Sequence, residues 1–392
     1  MKNKEYDIVV IGAGFAGATI ANKMANYGKK VLIIDKRDHV GGNMYECYSN
    51  NGVRIHLYGP HIFHTNSEKV FNYLKKFSQF YKYEHKVIGN IDGKLVPIPF
   101  NYKSLEILFD LEKANIIEEK LNKKYGEGSK VSIYNLINDE DEVIRKFGNY
   151  VYDKVFAQYT AKQWEMPIDK IDNSVINRVP VVLGYDDRYF NDTIQYMPEE
   201  GFSVLIQNML NHDNIDIKVN TNSSEIIKLD FNNNKVYLFD KVFLGKVFFT
   251  GAVDELLNYK YGALPYRSLN LVFEEYDEDY YQSNSVINYN TSEKYTRITE
   301  FKYLTNQKLN GRTTILKEYP LRYDHLSTKS DPYYPINNKE NLELYDKYKK
   351  DIEKFSNIYL CGRLAEYKYY NMDAVVESVL NLFEELKEGN QI

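Results

Sequence analysis

The feature that most constrains this chain is a glycine-rich turn close to its first residue. An apolar run, Ile8–Ile11, leads into Gly12, Gly14 and Gly17 with the spacing G-x-G-x-x-G, and a second apolar run ends at Asp35. Gly12 makes the turn, Gly14 lets a pyrophosphate approach the backbone, and Gly17 lets a helix pack on the strand. Asp35 can accept a hydrogen bond from a ribose hydroxyl. The pattern predicts a dinucleotide-binding unit with the phosphates at the helix N-terminus.

The segment after this acid indicates which dinucleotide is bound. Lys36 and Arg37 form a basic pair, and Gly41, Gly42 and Asn43 follow as a second glycine turn. The extension resembles flavoproteins of the amine-oxidase type, in which such an arginine and Gly-Gly turn meet the phosphates of FAD. The alternative is an ordinary loop in which Gly-Gly is a flexible turn. We therefore expect FAD as the cofactor.

Composition excludes several classes of function. The formal charge of −5 over 392 residues leaves no basic surface for nucleic acid or a membrane, so local arginines must hold any anionic substrate. No apolar run approaches the roughly 18 residues of a membrane span. Cys47 and Cys361 have no metal-ligand spacing, so no metal is expected. The first residues run directly into a strand without a secretory leader, which predicts a cytoplasmic protein.

Hydrophobic periodicity divides the chain into three units of an α/β fold. Strand and helix patterns with glycine turns predict a discontinuous Rossmann-like FAD-binding domain, helical periodicity predicts an inserted helical domain, and alternating Tyr, Val, Ile, Thr and Arg predict an antiparallel sheet domain for the substrate. The FAD-binding domain is expected over 1–80, 200–255 and 340–392, the helical insertion over 100–165, and the sheet domain over 81–99, 166–199 and 256–339.

The last part of the chain contains a second cofactor pattern. A strand ends at Gly362, and a helix begins near Asp373. In FAD proteins of this architecture such a helix points its N-terminus at the isoalloxazine ring, where the helix dipole stabilises negative charge. The simpler interpretation is an amphipathic helix that only packs its apolar face against the core. The two interpretations are compatible, because the face can pack while the N-terminus binds the cofactor.

Seven motifs in one order carry a specific resemblance. They are Gly-Pro-His-Ile-Phe-His-Thr-Asn (59–66), Tyr-Thr-Ala-Lys-Gln-Trp (159–164), Asn-Arg-Val-Pro (177–180), Tyr-Gly-Ala-Leu-Pro-Tyr-Arg-Ser (261–268), Tyr-Thr-Arg-Ile (295–298), Lys-Glu-Tyr-Pro (317–320) and Gly-Arg-Leu-Ala-Glu-Tyr-Lys-Tyr-Tyr (362–370). On these motifs the chain resembles the UDP-galactopyranose mutase family over nearly its whole length. The resemblance implies a flavin domain with a helical insertion and an antiparallel sheet.

The resemblance also implies roles for individual residues. It implies that Arg178 and Arg297 hold the diphosphate and act in catalysis together with His64, and that a mobile flap lies near residue 164. The residues implied to bind substrate are Tyr159, Thr160, Trp164, Tyr189, His85, Asn288, Tyr319, Arg363, Tyr369 and Asn371. The further residues implied or predicted to bind the cofactor are Phe15, His61, Val219, Gly251, Gly362, Arg363 and Met372.

The activity implied by the family is an isomerisation without net redox. UDP-galactopyranose and UDP-galactofuranose would interconvert through an adduct between the sugar and N5 of reduced FAD, and the product would feed cell-surface polysaccharide. His85 and Asn371 stand where some members have Asn and Asp, so a related donor, dTDP-fucopyranose or UDP-GalNAc, stays open. The sequence also leaves room for an FAD amine-oxidase-type enzyme and for an inactive sugar-nucleotide binder. It does not decide whether the chain forms a homo-oligomer.

Overall fold

A parallel sheet forms the centre of the molecule, for which a computed structural model describes residues 5–164, 179–290, 293–327 and 329–392. Its strands are short, and the three central ones are almost wholly buried, as expected for parallel strands that are covered on both faces. In sheet order they are Ile215–Lys218, Val31–Ile34, Ile8–Ile11, Lys246–Phe249 and Ile358–Leu360. The predicted Rossmann-like α/β fold is thereby confirmed.

Alternate side chains of these strands belong to two separate cores, because successive residues of a strand point to opposite faces. Val10 and Ile33 pack with helices on one face, whereas Val9 and Leu32 pack on the other. The first face is covered by the helices Phe15–Asn26, Phe202–Leu210 and Met372–Glu388. The second is covered by the helix Lys339–Ile352 and by an antiparallel sheet of the strands Ile227–Asp230, Lys235–Leu238 and Lys241–Phe243.

A second large sheet supplies one wall of the candidate site. Its order is Tyr334–Pro335, Tyr266–Tyr276, Thr313–Arg322, Arg297–Glu300, Val286–Tyr289, Val87–Ile91 and Lys94–Ile98. The pairs are antiparallel except that Val286–Tyr289 runs parallel to Val87–Ile91. Side chains alternate with a period of two in parallel and in antiparallel strands alike. The sequence pattern therefore could not show that this one pair is parallel. The hairpin that ends the sheet turns at Asp92 and Gly93, both with positive φ.

A helical unit packs against this hairpin. Its helices are Tyr102–Leu108, Leu111–Tyr125, Ile133–Ile137, Glu142–Val151 and Gln158–Trp164, with a π-helix over Tyr152–Ala157. Side chains of Asn101, Asp110, Ser132 and Asp141 accept hydrogen bonds from first-turn N–H groups and so begin four of these helices. Ile117 and Phe147 of the helices share a core with Val96 of the hairpin.

Short elements connect the three units. The described strands within 166–199 do not join the large antiparallel sheet. Val181–Val182 pairs with Lys130–Val131, and Ile194–Pro198 lies between Phe63–Thr65 and Phe80–Lys82. The other strands and α-helices of the described residues are the strand pair Glu46–Tyr48 and Arg54–His56 and the helices Glu68–Leu74, Val253–Leu256 and Phe301–Thr305. No helix in the described part of the chain is long and apolar enough to span a bilayer.

Candidate functional site

Two cavities adjoin each other, and the first of them lies at the carboxyl ends of the parallel strands, the usual place for ligands in such sheets. The first, which we call the dinucleotide cavity, is lined by the glycine turn, by 34–37 and 41–44, by 249–252 and by 362–364. The second, which we call the arginine cavity, lies between the large antiparallel sheet and the helical unit, and Arg267, Arg297 and Arg363 line it.

Glycine is required at two positions of the turn. Gly12 has φ +98°, and a Cβ built there would lie 2.0 Å from Oγ1 of Thr250. A Cβ on Gly17 would lie 1.8 Å from the carbonyl oxygen of Gly12. Gly17 does not line the dinucleotide cavity; it allows the helix to pack on the turn, as its position in the motif predicts.

Gly14 and Gly42 form a narrow backbone cradle. A Cβ on Gly42 would lie 2.9 Å from Cα of Gly14, whereas a Cβ on Gly14 would meet nothing closer than 3.7 Å. Gly14 also precedes the helix Phe15–Asn26, whose first turn receives no side-chain cap. Its N–H groups are therefore available to an anion, and the cradle fits a pyrophosphate with no side chain in the way.

The acidic and basic residues after the second strand are held in place by protein contacts. Asp35 accepts hydrogen bonds from the N–H groups of Ala13 and Arg37 at 2.8 and 2.9 Å, which ties the glycine turn to the strand. Arg37 lies 3.8 Å from the ring centroid of Tyr58 and donates to Asn43. Each Asp35 oxygen keeps a lone pair, so a ribose hydroxyl can still donate to it.

Most of the residues predicted to bind the cofactor line this cavity. They are Gly12, Gly14, Phe15, Asp35, Lys36, Arg37, Gly41, Gly42, Asn43, His61, Gly251, Gly362, Arg363 and Met372. Val219 is not in the lining, which Thr221, Asn222 and Ser223 provide instead just after the strand end. Asp331, Pro332 and Tyr333 also line it and were missed, because no local motif marks a segment that crosses from the other sheet.

Arg297 dominates the electrostatics of the arginine cavity. Its Nε lies 2.6 Å from Oε1 of Glu318, whose side chain is 1% exposed. Burial opposes the charge on Arg297, but Glu318 outweighs it and raises the pKa of the guanidinium above its ordinary value. Arg297 is therefore a permanent cation with a fixed orientation, as recognition of a phosphate requires.

Among the described residues, His61, Arg363 and Met372 line both cavities. The Arg363 guanidinium donates to the carbonyl oxygen of Tyr370 at 2.9 and 3.2 Å and lies 5.0 Å from the Tyr334 ring centroid. Burial, together with the nearby charges of His56 and Arg363, lowers the pKa of His61 well below its ordinary value. A neutral imidazole and a positioned cation thus stand where the two cavities meet.

Stacked rings form another part of the arginine cavity. His64 stacks on Phe190 with centroids 3.6 Å apart, and His85 lies on the same ring at 5.6 Å. Nδ1 of His64 is 2.7 Å from Oδ2 of Asp192. Burial, with Arg297 as a smaller cause, lowers the pKa of His85 to about 3. His85 is therefore neutral at physiological pH and offers one donor and one acceptor.

Tyr159 and Thr160 line the cavity from the helix Gln158–Trp164. Burial raises the pKa of Tyr159, so its phenol keeps its proton. Tyr189, Asn288, Tyr369 and Asn371 also line the cavity. Arg178 and the side chain of Trp164, both expected at this site, lie outside what the structure describes.

Tyr319 does not line the arginine cavity, although its neighbours Glu318 and Pro320 do. The three lie on one strand, and alternate side chains of a strand point to opposite faces. Glu318 and Pro320 therefore face the cavity, and Tyr319 between them faces away from it. Glu318 is in this way placed in the site as the partner of Arg297. Residues that line the cavity and were missed include Gln163, Arg267, Asn290, Thr296 and Tyr334.

Comparison with known proteins gives consistent matches over the chain. The family model described as UDP-galactopyranose mutase matches residues 154–369, and one described as an NAD(P)-binding Rossmann-like domain matches 10–77. UDP-galactopyranose mutase of Mycoplasma genitalium is 34% identical over 95% of this chain and 92% of that protein. The dTDP-fucopyranose mutase of Escherichia coli is also 34% identical, over 95% of this chain and 96% of its own.

Solved structures support the fold. A crystal structure of reduced UDP-galactopyranose mutase aligns with a TM-score of 0.69 and 16% identity, covering 98% of this chain and 94% of the other. Putrescine oxidase with bound putrescine aligns with a TM-score of 0.56 and 12% identity, over 98% of this chain and 99% of the other. At such identities the likeness shows the fold alone.

Proposed function

Because the chain belongs to the UDP-galactopyranose mutase family, we propose that it interconverts UDP-galactopyranose and UDP-galactofuranose with FAD as its cofactor. The reaction isomerises the sugar without net oxidation or reduction. We propose a cytoplasmic enzyme whose furanose product serves the synthesis of cell-surface polysaccharide.

The observation that carries this proposal is the junction of the two cavities at His61, Arg363 and Met372. A dinucleotide in one cavity and a nucleotide sugar in the other would come into contact there. An amine oxidase would use the dinucleotide cavity in the same way, but it would have no need for Arg267 and Arg297 in the other. Guanidinium groups suit a diphosphate because they bind its oxygens in bidentate fashion.

The chain's own contribution is to bind the nucleotide sugar and to stabilise the leaving diphosphate. Negative charge grows on the β-phosphate as the anomeric C–O bond breaks. Arg297, charged throughout and oriented by Glu318, stabilises that charge. Arg178 is assigned the same role from its motif alone. Burial of the site strengthens the interaction of Arg297 relative to the same interaction in water.

The remaining groups orient the sugar and tune the cofactor. His85 is neutral and His64 is fixed by Asp192, so both can contact hydroxyls without competing for the phosphates. The helix Met372–Glu388 has no side-chain cap and begins at both cavities, so its positive end favours an anionic cofactor. Reduced flavin, when bound, supplies a nucleophilic nitrogen for the anomeric carbon.

Mutase activity is expected to rise at least about tenfold when the holoenzyme is reduced with dithionite, without net consumption of reductant. Anaerobic conversion of UDP-galactofuranose, followed by chromatography, measures it. Oxygen uptake under air with the same substrate is the control for an oxidase. Equal rates for oxidised and reduced enzyme would overturn the proposed use of the cofactor.

A related donor is the second candidate, because the dTDP-fucopyranose mutase is as similar to this chain as the UDP-galactopyranose mutase. We expect kcat/KM on reduced enzyme to favour UDP-galactose by about tenfold or more, since polar groups arranged for a hydroxyl discriminate against a 6-deoxy sugar that lacks it. A preference for dTDP-fucopyranose would replace the substrate assignment and leave the mutase class intact.

A further inference from the structure

A buried ionisable pair lies behind the junction of the two cavities. Glu46 and His56 face each other across the strand pair Glu46–Tyr48 and Arg54–His56. Nε2 of His56 lies 3.0 Å from Oε1 of Glu46, and the two side chains are 1% and 3% exposed. Neither of these described residues lines the dinucleotide cavity or the arginine cavity. Buried pairs of this kind usually add little to the free energy of folding, so we looked for a role in positioning.

The pair reaches the junction through the main chain of His61. Nδ1 of His56 accepts a hydrogen bond from the backbone N–H of His61 at 3.0 Å. An imidazole nitrogen can accept only where it carries no proton, so the proton of His56 lies on Nε2. Oε1 of Glu46 lies beside Nε2, and its negative charge stabilises a proton there. Glu46 therefore favours the tautomer of His56 that can hold His61.

His56 holds the turn 59–61 at two points. Its carbonyl oxygen accepts the N–H of Gly59, and its ring accepts the N–H of His61. The side chain of His61 lines both cavities, and its Nδ1 is buried without a hydrogen-bond partner in the described part of the chain. A shift of this turn would change the group that a ligand meets in either cavity.

We propose that Glu46 and His56 are positioning residues, which fix the turn 59–61 and so place the His61 imidazole between the cofactor and the nucleotide sugar. The inference rests on the proposed function. The effect passes through the main chain of His61, because neither Glu46 nor His56 lines a cavity. Misplacement of a reacting group by about 1 Å can cost about 10²-fold in rate, so a distant hydrogen bond can control turnover.

Two amide substitutions at His56 separate positioning from stability. The oxygen of Asn in His56→Asn replaces Nδ1 as the acceptor for His61, but the contact with Glu46 is lost. The amide of Gln in His56→Gln replaces Nε2 beside Glu46, but the His61 N–H is left without its acceptor. We expect kcat of the reduced enzyme to fall at least about tenfold in His56→Gln and less than about threefold in His56→Asn. The melting temperature should fall more in His56→Asn, which leaves Glu46 buried without a partner.

The visible absorption spectrum of bound flavin gives a readout that does not depend on turnover. It should change in His56→Gln and match that of the wild-type protein in His56→Asn. If His56→Asn does not fold, the double variant with Glu46→Gln removes the unpaired charge and repeats the test. His212→Gln is the matched control, because Nδ1 of His212 also accepts a backbone N–H at 3.0 Å, that of Asn214, and His212 lines neither cavity. It should leave the rate and the spectrum unchanged.

The order of the two His56 variants decides the inference. A rate that falls in the same order as the melting temperature would show that the pair only stabilises the fold and would overturn the proposal. A wild-type rate and spectrum in His56→Gln would overturn it as well. A flavin-loaded wild-type protein without mutase activity would refute the proposed reaction, and the spectra of the variants would then decide the placement of His61. A wild-type protein that binds no flavin would refute the proposed function together with this inference.

Discussion

Replacement of Arg297 by alanine is expected to lower kcat/KM for UDP-galactofuranose by about 10²-fold or more while flavin content stays normal. Arg297 lines the arginine cavity, and the buried carboxylate of Glu318 fixes its charge and orientation. Its interaction with the diphosphate strengthens as the sugar–phosphate bond breaks, so its loss should affect the transition state more than the bound substrate. Steady-state kinetics on the reduced enzyme, with flavin absorbance as a loading check, measure the effect.

The Arg297–Glu318 pair requires a control for stability. Removing Arg297 alone leaves Glu318 buried without its cation, which typically costs about 3–5 kcal/mol of folding free energy. The double variant Arg297→Gln with Glu318→Gln removes both charges and should restore the melting temperature without restoring activity. Arg297→Lys should recover only part of the rate, because an ammonium group lacks the planar fork. A folded alanine variant within a factor of about three of wild-type activity would exclude the role given to Arg297.

Replacement of Gly14 by valine is expected to abolish flavin binding and leave the fold intact. A Cβ at Gly14 meets only Gly42 Cα at 3.7 Å and Gly41 O at 4.0 Å, and its φ of −80° is ordinary for any residue. The added side chain would instead occupy the space that a pyrophosphate needs. The flavin-to-protein ratio of the purified variant should be close to zero, and its melting temperature should match that of apo wild-type protein.

Two comparisons separate this effect from a general loss of stability. Gly184→Val is the matched control, because a Cβ there meets nothing within 4 Å and Gly184 lines neither cavity. It should keep its flavin. Gly17→Ala should unfold the turn itself, since its Cβ would lie 1.8 Å from the Gly12 carbonyl oxygen. Full flavin loading of Gly14→Val would show that the pyrophosphate does not lie against this residue.

Local sequence is sufficient to specify the dinucleotide turn and the strands around it. Gly12 is needed for a positive φ, Gly17 for the close contact of the helix with the turn, and Asp35 for the hydrogen bond that ends the second strand. Each of these needs depends on a few neighbouring residues, so a short sequence pattern can reveal it. The motif Tyr-Thr-Arg-Ile (295–298) also predicted Arg297 as a site residue, and Arg297 lines the arginine cavity. The resemblance of the motifs to one family was enough to predict the Rossmann-like α/β fold, which the parallel sheet confirms.

Which of these residues share a cavity, and which partners they have, depends on the packing of the whole chain. Asn290 and Asp331 come from segments far from the glycine turn, and no local pattern marks their approach to the cavities. Glu318 lies within a motif, but the motif does not show that its side chain is the one that reaches the cavity. Tyr319 was expected in the site from its motif, but the register of its strand directs Glu318 to the cavity instead. A shift of one residue along a strand exchanges its two faces. The partners of a site are therefore set by how distant strands pair, which the local sequence does not specify.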